Sequence, residues 1–464
     1  MINKITRIFL SVLLFPLFLS SAEFDTPNFQ TKLNKLLKGK KFKNVTMGIA
    51  ICRLPGGDSL FYLNEDEAFM PASTIKLILS AATLKYYKID HCFQTPICYD
   101  STFQNGVVNG NIYLKGVGSP TILLDSVRQT ISRLKLGGLH EIKGNIVYDD
   151  LAFKAQKPRF PPYARDRWAP GGALVLNSNR IVLKITSRSP KILFEKVPNT
   201  AYARITANLK YSDSTKPSSP DMRYVMKHDH DEYTLNGTVT RWTERINYLA
   251  LGATRPGLYF ATVFKETLKA QGIRVQGKIV QSSCPKGVPT LAYISSPPLR
   301  NMLHDMNSIS DNIIAENFLS KIGLDQIGAP SDAKKGGQAL RQFVNSIVKA
   351  DDFICADGSG LNPESRISAR TFVKLLSEFY QQEWGLLEIL HTEGMSTDKL
   401  KIRGKSGTLS VRGLNALAGY ILPQKSETAY AFVIFSYRQP NPSKLWSGTL
   451  THPVMKVILE SINQ

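Results

Sequence analysis

Alternating apolar and polar positions outline a first hairpin. Residues 45–50 (Val-Thr-Met-Gly-Ile-Ala) and 59–63 (Ser-Leu-Phe-Tyr-Leu) read as strands joined by the turn sequence Pro55-Gly56-Gly57-Asp58. Two further apolar runs, 414–421 and 429–436, predict strands near the C-terminus. Together these predict one antiparallel sheet built from both chain ends. Helical periodicity starts behind Pro71, at Ile75-Lys76-Leu77-Ile78-Leu79-Ser80-Ala81-Ala82, and again at Ile313-Ile314-Ala315-Glu316-Asn317-Phe318-Leu319. Similar patterns follow Asp332, Ser368 and Trp384, and these helices are expected to cover the sheet. The stretch 184–247 differs, being more polar with short alternating strands. At the N-terminus Lys4 and Arg7 precede an apolar run, 8–19, that ends in Ser20-Ser21-Ala22. That order predicts a secretory signal peptide over residues 1–22, too short for a comfortable membrane span, with an uncleaved anchor as the alternative.

At 464 residues the chain exceeds one ordinary core, so two or three domains are expected. Lysine and arginine outnumber aspartate and glutamate by 21. Such a surface favours anionic partners. No nucleic-acid recognition motif is present and export argues against that partner, which leaves anionic wall polymer or a membrane surface. Five cysteines (Cys52, Cys92, Cys98, Cys284, Cys355) have no metal-ligand spacing. Cys92 and Cys98 are close enough in sequence to pair in an oxidising compartment if geometry allows. Seven histidines, among them His228 and His230, form no metal-binding pattern, and no cofactor is expected.

Three short motifs carry the chemistry. Ser73-Thr74-Ile75-Lys76 comes first, then Ser310-Asp311-Asn312, then Lys405-Ser406-Gly407-Thr408. The first alone says little, because Ser-x-x-Lys recurs at Ser132, Ser283, Ser331, Ser346 and Ser396. Ser73 differs by standing at a predicted helix N-terminus, where position i+3 shares its face, so that a buried Lys76 can take the hydroxyl proton. Ser310 and Asn312 stand at a second helix start, which they could simply cap. Lys405 opens a strand whose Gly407 would let a substrate backbone lie close against the edge. In this order the three supply a serine nucleophile, two lysines, a second serine and an amide, the parts of an acyl-transfer site without histidine.

The chain here resembles the penicillin-recognising serine acyl transferases, D,D-peptidases and class A β-lactamases among them. The 237 residues from Ser73 to Ser310 leave room for inserted domains. That insertion resembles the class C low-molecular-mass penicillin-binding proteins, the D-alanyl-D-alanine carboxypeptidase/endopeptidase family. Gly116-Val117-Gly118-Ser119-Pro120-Thr121, Gly144-Asn145-Ile146-Val147-Tyr148-Asp149-Asp150, Trp168-Ala169-Pro170 and Asp357-Gly358-Ser359-Gly360-Leu361-Asn362 agree with it. The resemblance implies an α+β fold with a discontinuous β-lactamase/transpeptidase-like catalytic domain, residues 23–92 and 286–464. An α/β second domain would span 93–183 and 248–285, with a β-rich third domain nested at 184–247.

By the same resemblance, Ser73 attacks the penultimate D-alanine carbonyl of a peptidoglycan stem peptide and Lys76 accepts its proton. Ser310 relays a proton to the leaving amine, and Asn312 holds the substrate backbone. Lys405 with Ser406 or Thr408 binds the terminal carboxylate, and the backbone amides of Ser73 and Thr408 form the oxyanion hole. β-Lactam antibiotics would acylate the same serine. Departures fall in the side-chain subsite. The family arginine just after Asp-Gly-Ser-Gly-Leu-Ser is Pro363 here, with Arg366 nearest, and the glutamine after the third motif is Ser410. Asp166 lies closer to Trp168 than the family aspartate does. A β-lactamase or esterase, or a secreted wall-binding protein with an idle site, are the alternatives.

Overall fold

The computed structural model describes residues 23–156, 169–188, 191–214, 221–240, 247–409, 412–438 and 448–463. Residues 1–22, including the expected signal peptide, lie outside them, as do Asp166, Trp168 and Ser410. The predicted strands from both chain ends pair into one sheet. Its order is Leu400–Leu409, Leu414–Pro423, Ala429–Arg438, Val45–Leu54, Ser59–Leu63, antiparallel throughout. Both faces of the central strands are covered, which is why they read as nearly continuous apolar runs. On one face Ala50, Ala416, Ala418 and Ala431 keep the surface low enough for helices to pack closely. Ile75–Tyr86, Leu299–Ser308, Asn312–Gln326, Ala333–Asn345 and Ala369–Gln381 form that layer. On the other face Ile49, Ile51, Phe432 and Ile434 meet the Thr26–Leu37 and Thr451–Leu459 helices. Each such fully buried side chain contributes roughly 1.5–3 kcal/mol.

A second sheet belongs to the insertion. Ile279–Gln281, Ile146–Asp149 and Ile112–Lys115 run parallel, while Gln94–Tyr99 and Thr290–Ser295 are antiparallel to their neighbours. Helices Leu124–Leu136 and Pro256–Ala270 cover one face through Val127, Ile131, Phe260 and Phe264. The opposite face carries only a small cluster of Cys98, Tyr113 and Val147, with Cys284 and Val288 against it. The polar, alternating stretch forms two three-stranded sheets. One comprises Lys191–Val197, Arg180–Arg188 and Asn247–Gly252, the other Ala203–Ser212, Asp231–Thr240 and Asp221–Met226.

No disulfide is formed in this structure, and the pairing of Cys92 with Cys98 that their closeness in sequence allowed is not made. The pleat decides this. Cys98 sits within a strand and faces Thr290 Oγ1 at 3.7 Å, whereas the Cys92 thiol donates to the Asp90 carbonyl at 3.7 Å.

Candidate active site

Ser73 stands in the single 3₁₀ turn Ala72–Thr74 that feeds the Ile75–Tyr86 helix. Thr74 closes the turn by donating to the Pro71 carbonyl from Oγ1 at 2.6 Å and from its backbone N–H at 3.2 Å. Ala72 is held in the left-handed region at φ 47°, which costs a residue with a Cβ about 1–2 kcal/mol. Packing from two distant segments enforces it. A Cβ at Gly360 would fall 1.9 Å from the Ala72 carbonyl oxygen, and one at Gly407 would fall 2.9 Å from both Ala72 Cβ and the Ser73 nitrogen. What lies against the side-chain position of Gly407 is therefore the nucleophile turn itself, while Leu400–Leu409 remains an edge strand of the sheet. Glycine at 407 lets the third motif seat the first.

Lys76 lies one turn further along and has no solvent exposure. Its Nζ donates to Ser73 Oγ at 2.9 Å, Asn312 Oδ1 at 2.9 Å and the Ser359 carbonyl at 3.0 Å, using all three ammonium protons. Burial brings its pKa down to about 7, and the Lys405 charge adds to the effect, while Asp357, Glu316 and Asp311 pull the other way. A pKa brought this close to neutrality makes the neutral amine, able to accept a proton from Ser73, accessible near pH 7.

Each of those three carboxylates is fixed by hydrogen bonds of its own. Asp357 accepts from Ser359 Oγ and from the backbone N–H groups of Gly360, Leu361 and Asn362, at 2.8–3.1 Å. Glu316 accepts from Gly358 and Ser359 N–H at 3.2 Å each, which aims the Ser359 carbonyl at Lys76. Asp311 caps the Asn312–Gln326 helix, accepting from Ile313 and Ile314 N–H. The cap expected from Ser310 or Asn312 is thus supplied by the residue between them, leaving Asn312 free to bond Lys76. Ser310 is half-buried at φ 58°, between the Leu299–Ser308 helix and this cap.

Lys405 is 4% exposed, and its Nζ donates to the Ser406 carbonyl at 2.8 Å. Burial is the first cause that lowers its pKa to about 8, with Glu393 opposing. Thr408 Oγ1 accepts from Asn415 Nδ2 at 3.3 Å. Arg366, a candidate for side-chain recognition, turns back on its own loop and donates to the carbonyls of Pro363 and Ser365. Asp166 lies outside the described residues.

The motifs alone did not reveal one residue of this site. Arg180, the first residue of the Arg180–Arg188 strand, donates to Asp311 Oδ2 at 2.5 Å, with side chains 17% and 1% exposed. Three successive left-handed residues, Asn177, Ser178 and Asn179, deliver it there. Asn317 also joins insertion and catalytic helix, accepting from Gly172 N–H at 3.1 Å and donating to the Pro120 carbonyl at 3.0 Å. The three consecutive small polar residues Asn177-Ser178-Asn179 were the sequence signal for that turn.

Residues 29–444 match the family D-Ala-D-Ala carboxypeptidase 3 (S13). The D-alanyl-D-alanine carboxypeptidase DacB of Haemophilus influenzae is 22% identical over 90% of this chain and 91% of its own length. The D-alanyl-D-alanine carboxypeptidase of Actinomadura sp. (strain R39) is 24% identical over 88% of this chain and 81% of its own. The crystal structure of penicillin binding protein 4 (dacB) from H. influenzae superposes with a TM-score of 0.75 at 19% identity, over 94% of this chain and 98% of that one. The same protein complexed with a novel β-lactam gives 0.72 at 20% identity, over 94% and 100%.

Proposed function

The chain belongs to the D-Ala-D-Ala carboxypeptidase 3 (S13) family and is a serine-type D-Ala-D-Ala carboxypeptidase, and we propose that it works through an acyl-enzyme on Ser73. The substrate is a peptidoglycan stem peptide ending in D-Ala-D-Ala. Neutral Lys76 takes the Ser73 proton as the hydroxyl attacks the penultimate D-alanine carbonyl. The amides of Ser73 and Thr408 receive the oxyanion, Ser310 passes the proton to the leaving D-alanine, and Asn312 holds the acyl backbone. Lys405 with Ser406 or Thr408 receives the terminal carboxylate, which selects a free C-terminus. Water then attacks the ester, and Ser73 recovers its proton. Cleavage of cross-links as a D,D-endopeptidase is the same chemistry on a longer leaving group.

The observation that carries this reading is the fully buried Lys76, hydrogen-bonded to Ser73 with its pKa near neutrality. Glu316 bears on the β-lactamase alternative. Both its oxygens accept backbone N–H groups, so it is not placed as a base for deacylating water, and a long-lived penicilloyl adduct is expected. Intact mass after incubation with benzylpenicillin tests both points. A lasting adduct on the wild type, absent from Ser73→Ala, supports the reading; rapid drug loss without adduct favours a β-lactamase, and no reaction at all overturns it.

The domain reading and the location belong to the same proposal. A catalytic domain of 23–92 and 286–464 would hold a second domain, 93–183 and 248–285, with 184–247 nested in it; because Thr290–Ser295 pairs with Gln94–Tyr99, the second domain is better drawn as far as Ser295. Peptidoglycan lies outside the cytoplasmic membrane, so the protein is periplasmic, or extracellular where there is no outer membrane. Among the described residues no helix is long and apolar enough to cross a membrane. The net charge of +21 suits contact with anionic wall polymer or a membrane surface.

A further inference from the structure

The thinly covered face of the insertion's sheet is crossed by one short strap. Gln94–Tyr99 and Thr290–Ser295 lead the chain into and out of the insertion, and Cys98 lies opposite Thr290 where they pair. The chain reaches Thr290 from Ile279–Gln281 at the far edge of the sheet, so residues 282–289 traverse all five strands. Four interstrand gaps amount to roughly 19 Å. Eight residues reach at most about 27 Å, so the strap has little slack. Three hydrogen bonds hold it: Ser282 N–H to the Tyr148 carbonyl at 3.3 Å, Cys284 N–H to Asp149 Oδ2 at 2.8 Å, and Tyr99 N–H to the Pro289 carbonyl at 3.1 Å.

Little apolar surface lies beneath it, and two of the side chains there are cysteines. Cys284 packs against the cluster that holds Cys98; its thiol donates to the Pro285 carbonyl at 3.7 Å, and the Cys98 thiol meets Thr290 Oγ1 at 3.7 Å. Cys98 is 4% exposed, Cys52 is buried in the core of the catalytic sheet with Cys355 packed against it, and Cys92 lies outside the small cluster.

We propose that Cys98 and Cys284 form a disulfide in the mature protein, fastening the strap across the sheet at the mouth of the insertion. The bond forms by two exchanges. The Cys284 thiolate attacks a disulfide donor of the oxidising compartment and releases one thiol; the Cys98 thiolate then displaces the donor's other half from Cys284. Two protons and two electrons pass to the donor, which leaves as two thiols. Burial and the adjacent Cys98 push the Cys284 thiol up to about 11, so a thiolate is scarce once the strap is seated and oxidation is fastest while the chain is still folding.

The proposal draws on the exported location only for its oxidant, and a test in vitro removes that dependence. Reduced full-length mature protein is unfolded, refolded in a glutathione disulfide/glutathione buffer, quenched in acid, denatured and alkylated with iodoacetamide. The expected mass shows three alkylated cysteines out of five, with a peptide linking Cys98 to Cys284 that vanishes in Cys98→Ser. The oxidised form melts higher than the reduced form by roughly 5 °C or more, and the Cys98→Ser/Cys284→Ser variant melts identically with and without reductant. Benzylpenicillin labelling of Ser73 is the same in both redox states, which separates this result from the catalytic reading. Five alkylated cysteines, or a link between Cys92 and Cys98, overturns the proposal.

Discussion

Replacing Arg180 with alanine strips the guanidinium from Asp311, a carboxylate only 1% exposed and paired with it at 2.5 Å. Breaking one side of a buried pair costs about 3–5 kcal/mol. Asp311 keeps its capping bonds from Ile313 and Ile314, so the loss falls at the lower end, about 3 kcal/mol. A second effect reaches the chemistry. Asp311 already favours the charged form of Lys76, and without Arg180 its field is no longer offset. Proton binding at Lys76 tightens about tenfold, or 1.4 kcal/mol. The reactive form is the neutral amine, so activity present above the Lys76 pKa is lost as pH falls, and tighter proton binding moves that acid limb upward. From a starting pKa of about 7, this lowers the neutral fraction at pH 7 about fivefold, and acylation slows to match. By pH 9 the two proteins converge. Stopped-flow acylation by a fluorescent penicillin from pH 5.5 to 9.5 reads this directly, with Arg180→Lys expected to stay near the wild-type curve. An Arg180→Ala rate lowered by one constant factor at every pH would refute the coupling.

Glu316→Gln is expected to do the opposite: removing a charge that favours protonated Lys76 moves the acid limb to lower pH. It also sets an amide N–H against the Gly358 or Ser359 N–H and costs about 1–2 kcal/mol, read by the same pH series and by thermal melting. Gly407→Ala inserts a methyl 2.9 Å from the Ser73 nitrogen. Its acylation rate should fall more than about tenfold at all pH values with the limb unmoved, for a stability loss of about 1–3 kcal/mol; a normal rate would show that the nucleophile turn tolerates displacement.

The sequence disclosed what depends on local pattern. The hairpin at 45–63, the strands after 414 and 429 and the helix behind Ser73 follow from apolar spacing and from Pro71 and Pro55, and the sheet they form was readable in kind. Ser73, Lys76 and Asn312 meet as expected because each stands at an element boundary that fixes its direction. The supports of Lys76 were not legible. Glu316 reads as one polar residue on an apolar helix, and only the fold turns it toward the Gly358-Ser359 turn. The left-handed Ala72 and the need for Gly407 arise where three distant segments collide, which no local propensity encodes. Arg180 lies 131 positions from its partner Asp311. Cys92 and Cys98 were near in sequence, but the pleat puts Cys98 in a small cluster against which Cys284, from the far end of the insertion, packs.

The catalytic sheet places the Val45–Leu54 strand between Ser59–Leu63 and Ala429–Arg438, and Lys405 lies on Leu400–Leu409, the first of three C-terminal strands that complete it. Order of synthesis then governs when activity can begin. Lys405 leaves the ribosome roughly 330 residues after Ser73, or between about 15 and 65 s later at ~5–20 residues per second. During that interval an apolar strand waits without its central neighbour, and the nucleophile turn has no Gly407 to seat it. A nascent or truncated chain therefore lacks a complete site, and the enzyme switches on only when its own C-terminal strands close the sheet.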